Sequence, residues 1–142
     1  MLAEKLGAAL GVPPPDEIHD SRYLLALWKD VGVIRAIRAN PEMAAILRNI
    51  GQWGLIASAA SDGNPYDFVS RFFAPDKGVL EDPVTGSAHC VLTPFWAKRL
   101  EKKTLRAFQA SARGGDILCT DEGARVALAG RCAHYLHGEI DI

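Results

Sequence analysis

Apolar residues recur at helical spacing from Leu2 to Leu10, and Gly11 with Pro13-Pro14-Pro15 stops that run, so the chain opens on a helix. Residues 22–28 form a strand-like run and residues 32–38 another, with Lys29-Asp30 as the turn between them. Asn40-Pro41 is a helix-start signature, with Asn as N-cap and Pro where its missing N–H costs nothing. That helix carries Met43, Ile46, Leu47 and Ile50 and ends at Gly51. Residues 55–59 make a buried strand, and residues 66–73 alternate as a further one. From Ser87 onward the spacing turns helical again, with Val91, Leu92, Phe95, Trp96 and Leu100 as the apolar positions. Short strands at 105–111, 117–120, 125–129 and 132–136 follow, parted by Gly114-Gly115, Gly123 and Gly130. Mixed strands around one or two helices predict an α+β domain.

Pro94 falls inside the central helix, where it removes one helical hydrogen bond at a cost near 3 kcal/mol if nothing compensates. Enclosing strands are expected to satisfy the freed carbonyl, with Phe95 and Trp96 filling the interior.

Length and charge narrow the picture. The 142 residues suit one domain, residues 1–142, with a full core and no internal linker. A net charge of −1 argues against a nucleic-acid surface, and Lys98, Arg99, Lys102 and Lys103 suit the negative C-terminal end of the central helix. No apolar run approaches the roughly 20 residues that cross a bilayer, so no membrane role is expected. The amino terminus lacks a signal-peptide layout, and Cys90, Cys119 and Cys132 show no paired spacing, which together suggest reduced thiols in a cytoplasm. No His/Cys ligand cluster stands out, so neither a metal nor a cofactor is expected. His89 and Cys90 are adjacent and point about 100° apart on a helix, so they do not form a nucleophilic pair, and Cys90 reads as a small core-facing residue.

The candidate chemistry lies in Glu81-Asp82-Pro83-Val84-Thr85-Gly86-Ser87-Ala88-His89-Cys90. This stretch reads as a tight acidic loop that delivers small residues onto a helix start: Pro83 fixes its own φ and biases Asp82 towards extended backbone, and Gly86 allows the turn. A helix opening on Gly86, Ser87 and Ala88 offers backbone N–H groups under no bulky side chain, suited to a carboxylate or phosphate. Asp82 stands within reach as hydrogen-bond partner or proton acceptor. The plainer alternative is an ordinary helix with Thr85 or Ser87 as its N-cap and Asp82 as a turn residue. Arg71, Arg113 and His89 are further candidate contacts, although a buried Arg paired with Glu81 or Asp82 is at least as good a reading.

The same stretch, preceded by Ser70-Arg71-Phe72-Phe73-Ala74-Pro75, resembles the PhzF family of phenazine-biosynthesis-type isomerases. Pro94-Phe95-Trp96-Ala97, Gln109-Ala110-Ser111-Ala112-Arg113-Gly114-Gly115, Val126-Ala127-Leu128-Ala129-Gly130 and Gly138-Glu139-Ile140 match its patterns in order. The resemblance implies one lobe of the diaminopimelate-epimerase-like fold, a curved, barrel-like mixed sheet around a central helix, and specifically the C-terminal lobe. It implies Asp82 and Ser87 as catalytic residues and Gly86, Ser87, Ala88 and His89 as substrate contacts. Epimerase relatives carry a cysteine at this helix start; the matching position here is Ser87, which argues against a two-thiol mechanism. The family's first lobe supplies a glutamate taken to be the proton shuttle and carries a Gly-Asn-Pro pattern. Gly63-Asn64-Pro65 is a coincidence of a turn, and the glutamate has no counterpart here, which leaves Glu81 or another chain to supply it.

Two functions are therefore expected. One is a PhzF-like isomerase, or half of one, that shifts a proton within a small cyclic hydroxy-acid. The other is a non-catalytic lobe, or truncated remnant, that binds a small carboxylate-bearing molecule. A homodimer or a separate N-terminal lobe is the expected partner.

Overall fold

The computed structural model describes residues 1–62 and 64–142. The first helix, α1 (Leu2–Leu10), ends where Gly11 adopts a left-handed conformation, as the sequence predicts. Strand β1 (Glu17–Asp20) follows, then β2 (Leu24–Leu27). The segment expected to be a strand at 32–38 is instead helix α2 (Val31–Ala36). Its β-branched residues suggested a strand, but Asp30 acts as N-cap, its carboxylate accepting from the Gly32 N–H at 2.7 Å. Helix α3 (Met43–Arg48) begins after a turn closed by Asn40, whose side chain accepts from the Glu42 N–H. Strands β3 (Leu55–Ala60) and β4 (Phe68–Ala74) come next, then β5 (Val79–Asp82). The central helix α4 (Gly86–Leu100) precedes β6 (Thr104–Gln109), β7 (Gly115–Asp121) and β8 (Val126–Ala129).

The eight strands form one mixed sheet in the order β1-β2-β3-β4-β6-β7-β8, with β5 added on β4. Most neighbours are antiparallel; β2–β3 and β4–β6 are the parallel pairs. One face packs on α4: Tyr23, Leu25, Leu27, Ile56, Phe68 and Phe72 meet Ala88, Leu92 and Trp96. The other face packs on α1, α2 and α3, with Leu24, Ala26, Leu55, Ala57 and Phe73 against Leu6, Leu10, Ile34 and Met43. Strands β2 and β4 are thus buried on both faces. The sheet curves round α4. Arg99 near its end pairs with Glu17 on β1, while the backbone at Gly86 lies against Leu128 on β8. This is the α+β architecture expected from the sequence.

Four details depart from expectation. Strand β1 escapes sequence reading because only Ile18 of Glu-Ile-His-Asp is even half-buried; it is an edge strand. Glu81 and Asp82 belong to β5 rather than to a loop. The strand expected at 132–136 is irregular, exposed chain, with no neighbouring strand among the described residues. Cys90 is exposed rather than core-facing, on the same outer side of α4 as Pro94, so solvent and not a strand meets the backbone that Pro94 leaves open. Trp96 does fill the interior, stacked on Phe68 with its indole N–H donated to Ser58 Oγ at 3.0 Å. The Gly63-Asn64-Pro65 turn involves Gly63, which lies outside the described residues.

Candidate active site

Strands β5 and β6 meet end to end along one edge of β4. Asp82, the last residue of β5, lies opposite Phe72, while Gln109, the last of β6, lies opposite Ser70. No ladder bridges two strand ends, and a buried gap there would leave backbone groups unpaired. The side chain of Gln109 closes it. Its Nε2 donates to the Asp82 carbonyl at 2.7 Å and to Thr85 Oγ1 at 3.1 Å, while its Oε1 accepts from the Thr85 N–H at 2.7 Å. Ser111, two residues on, donates to the Pro83 carbonyl at 2.8 Å and accepts from the Gly114 N–H at 3.0 Å. Gly115 leaves room for the turn, since a Cβ there would come within 2.3 Å of Val84 Cγ2. The Gln-x-Ser-x-Arg-Gly-Gly stretch is therefore a clamp on residues 82–85. The motif was visible in the sequence, but the roles of Gln109 and Ser111 were not; their only signal was a polar pair two apart at a strand end.

The clamp presents the start of α4. Thr85 occupies the N-cap position in extended backbone, but its hydroxyl turns to the Asp82 carboxylate rather than to the helix. Among the described residues no side chain caps the N–H groups of Gly86, Ser87 and Ala88. Ala88 is buried, and the half-buried Ser87 places Oγ 2.8 Å from the hydroxyl of Tyr23. His89 is fully buried. One ring nitrogen meets the Thr85 carbonyl at 2.7 Å and the other faces Ser70 Oγ at 3.4 Å. Burial pulls its pKa below the ordinary histidine value, opposed by the bond to Thr85. His89 thus braces the helix start from beneath and is shut off from solvent.

The two acidic residues have separate tasks. Arg71 is buried and makes a two-pronged bond to Glu81, Nε to Oε1 at 2.7 Å and Nη2 to Oε2 at 2.8 Å. Its Nη1 donates to the carbonyls of Ile34 and Ile37, so the pair pins α2 to β4 and β5. Both carboxylate oxygens of Glu81 are thus engaged by Arg71, and Arg71 in turn ties three elements together. Asp82 keeps one carboxylate oxygen on Thr85; the other has no partner among the described residues.

An open cleft of about 570 Å³ lies beside Gly86, lined among others by Arg113, Gly115, Asp116, Leu128 and Arg131. Two arginines and one aspartate therefore line the cleft beside the start of α4. Of the expected contacts, Gly86 and Arg113 line this cleft. Ser87, about 100° further round the helix, faces Tyr23 instead. No group of three or more His, Cys, Asp or Glu side chains could hold a metal among the described residues, and no described helix is long and apolar enough to cross a membrane.

Residues 23–138 match the model of the phenazine biosynthesis-like protein family, PhzC-PhzF. An uncharacterized isomerase of Pseudomonas aeruginosa is 48% identical over 136 residues, covering 96% of this chain and 50% of that protein. A phenazine biosynthesis-like domain-containing protein of Rattus norvegicus is 40% identical over 144 residues, covering 92% of this chain and 50% of its own length. Among solved structures, a PhzC/PhzF protein of Clostridium difficile superposes with a TM-score of 0.79 at 33% identity, over 100% of this chain and 53% of that one. A PhzF-family protein of Enterococcus faecalis gives 0.72 at 35% identity, over 92% and 50%. The chain spans about half the length of the relatives it matches.

Proposed function

The chain belongs to the phenazine biosynthesis-like (PhzC-PhzF) family, and from that premise we propose that it forms the carboxylate-holding, C-terminal half of an isomerase. The reaction would shift a proton within a small cyclic hydroxy-acid. The observation that carries this reading is the uncapped start of α4. Thr85, the residue placed to cap it, is held away by Asp82 and Gln109, leaving the N–H groups of Gly86, Ser87 and Ala88 to an outside anion. The helix end contributes about half a positive charge there, and the cleft beside Gly86 is lined by Arg113 and Arg131 together with Asp116. In this reading Ser87 donates to the substrate carboxylate, and the unpartnered oxygen of Asp82 accepts from a substrate hydroxyl. His89, being buried, acts by fixing the helix start.

The group that moves the proton is proposed to come from a partner lobe or chain, because Glu81 is tied to Arg71. A positioned acid–base group contributes about 10²–10⁴-fold, so this chain alone should exchange substrate protons slower by that factor than when its partner is supplied. Titration of the isotope-labelled protein with 3-hydroxybenzoate tests the first half of the reading. The amide signals of Ser87 and Ala88 should move and saturate; unmoved signals would sink it. Deuterium incorporation into a cyclic hydroxy-acid in heavy water tests the second.

A non-catalytic carboxylate-binding lobe is the second reading, favoured by the engagement of Glu81, Thr85 and His89 in internal bonds. Binding without exchange, even when a partner lobe is added, would select it. A partner is supported by the exposed apolar side chains of Tyr135, Leu136, Ile140 and Ile142, with Leu118 and Leu128 exposed on β7 and β8. A second copy in an isologous dimer, or an N-terminal lobe, would cover them.

A further inference from the structure

We propose that Tyr23 is a positioning residue for Ser87: its hydroxyl donates to Ser87 Oγ and thereby commits the serine proton to a bound carboxylate. The inference rests on the reading of Ser87 as a substrate contact. It begins with a residue that no motif singled out. Tyr23 lies at the entry to β2, 64 positions from Ser87 in sequence, yet the two oxygens are 2.8 Å apart.

The phenol is held without slack. Its ring is 2% exposed and sits edge-on to Phe72, with centroids 4.8 Å apart, and to Trp53 at 5.1 Å. Gly54 allows this, because a Cβ there would lie 2.8 Å from Tyr23 Cδ1. The adjoining Leu24 N–H is bonded to the Gly54 carbonyl at 3.0 Å, which fixes the backbone to the same strand entry. Aromatic packing and one backbone bond therefore set where the hydroxyl stands.

Direction follows from what each hydroxyl can give. A serine hydroxyl has one proton and two lone pairs. If Ser87 donated to Tyr23, it would turn lone pairs towards an incoming anion and repel it. If Tyr23 donates, the serine proton is left for the anion, and the two bonds polarise one another. A phenolic hydroxyl is also the better donor of the two, because its ring spreads the negative charge that donation leaves on the oxygen. A bound carboxylate thus selects the order Tyr23 to Ser87 to ligand.

The test is a double-mutant cycle read by titration with 3-hydroxybenzoate. Tyr23→Phe keeps the ring and removes only the hydroxyl. It should raise Kd about five-fold, the size of one hydrogen bond, and Ser87→Ala should do the same. The double variant should bind within two-fold of Ser87→Ala. A merely structural Tyr23 would show the same loss in both backgrounds, and that result, or wild-type affinity in Tyr23→Phe, overturns the proposal. In the unaltered protein carrying tyrosine labelled at Cζ, the Tyr23 resonance should shift on saturation; no shift also overturns it. Failure of the wild type to bind the probe at all would instead remove the site reading, and this inference with it.

Discussion

Replacing Gln109 with Leu isolates the clamp that builds the helix start. The side chain is fully buried, and its amide makes three bonds, to the Asp82 carbonyl, the Thr85 hydroxyl and the Thr85 N–H. Leucine fills a similar volume and supplies none of them. The Thr85 N–H is then buried without a partner, which costs about 1–3 kcal/mol, and each remaining neutral bond contributes about 1 kcal/mol. Asp82 is only half-buried, so water recovers part of its carbonyl's loss. The expected total is about 3 kcal/mol. Urea unfolding followed by tryptophan fluorescence measures it; with m near 1.5 kcal/mol per molar, the midpoint should fall by about 2 M. Gln109→Glu sharpens the test. It keeps an acceptor for Thr85 but sets a carboxylate against the Asp82 carbonyl, so it should be at least as damaging at neutral pH. Burial raises the folded-state pKa of the introduced carboxyl, the native state then binds more protons, and stability should recover as pH falls. Gln109→Leu should show no such recovery. A loss below about 1 kcal/mol in Gln109→Leu would mean that the amide does not hold the turn, and the account of the gap between β5 and β6 would be wrong.

Other expectations follow from the same contacts. Because burial lowers the pKa of His89, the unfolded chain takes up its proton first on acidification; the stability is fully present above about pH 6.5 and drains as pH falls, by up to about 1.4 kcal/mol per unit. Unfolding midpoints of wild type and His89→Gln across pH 7.5 to 5.5 check this, and equal slopes would contradict it. Glu81→Ala strands the buried Arg71, and the expected loss of about 3 kcal/mol should lower the melting temperature by roughly 10 °C in calorimetry; a shift under about 3 °C would refute the pinning role. Light scattering over a dilution series should show a homodimer when the chain is alone, and a monomer mass at every concentration would remove that proposal.

The sequence was most readable where local spacing and tertiary packing demand the same thing. Leu92 and Trp96 lie one helical turn apart and both enter the core, so the central helix could be read from its spacing alone. Gly11 stopped α1 because left-handed backbone is cheap only there. Readability failed where the deciding partner is distant. Residues 31–36 look like a strand until Asp30 is seen capping them. Strand β1 has almost no apolar pattern, because it is held at an edge by β2 and by Arg99. At the site, the acidic stretch and the helix start were visible as a motif. The Tyr23–Ser87 contact was not, since nothing in the residues around Arg22 marks a partner 64 positions away.

The placement of the site follows from the topology. Where two strands run into each other on one edge of β4, the chain must leave the sheet, and the polar backbone at that exit has no ladder to join. Side chains must take its place: Gln109 and Ser111 bond the open backbone groups, and the Thr85 hydroxyl is held between Gln109 and the Asp82 carboxylate. Using Thr85 there has a consequence for α4: its natural cap is spent on the turn, so the helix starts uncapped. The internal bonds that close the sheet and the open N–H groups offered to a ligand are thus two results of one arrangement. Substitutions at Gln109 should therefore disturb binding and stability together, whereas Tyr23→Phe, which touches only the outward hydroxyl chain, should separate them.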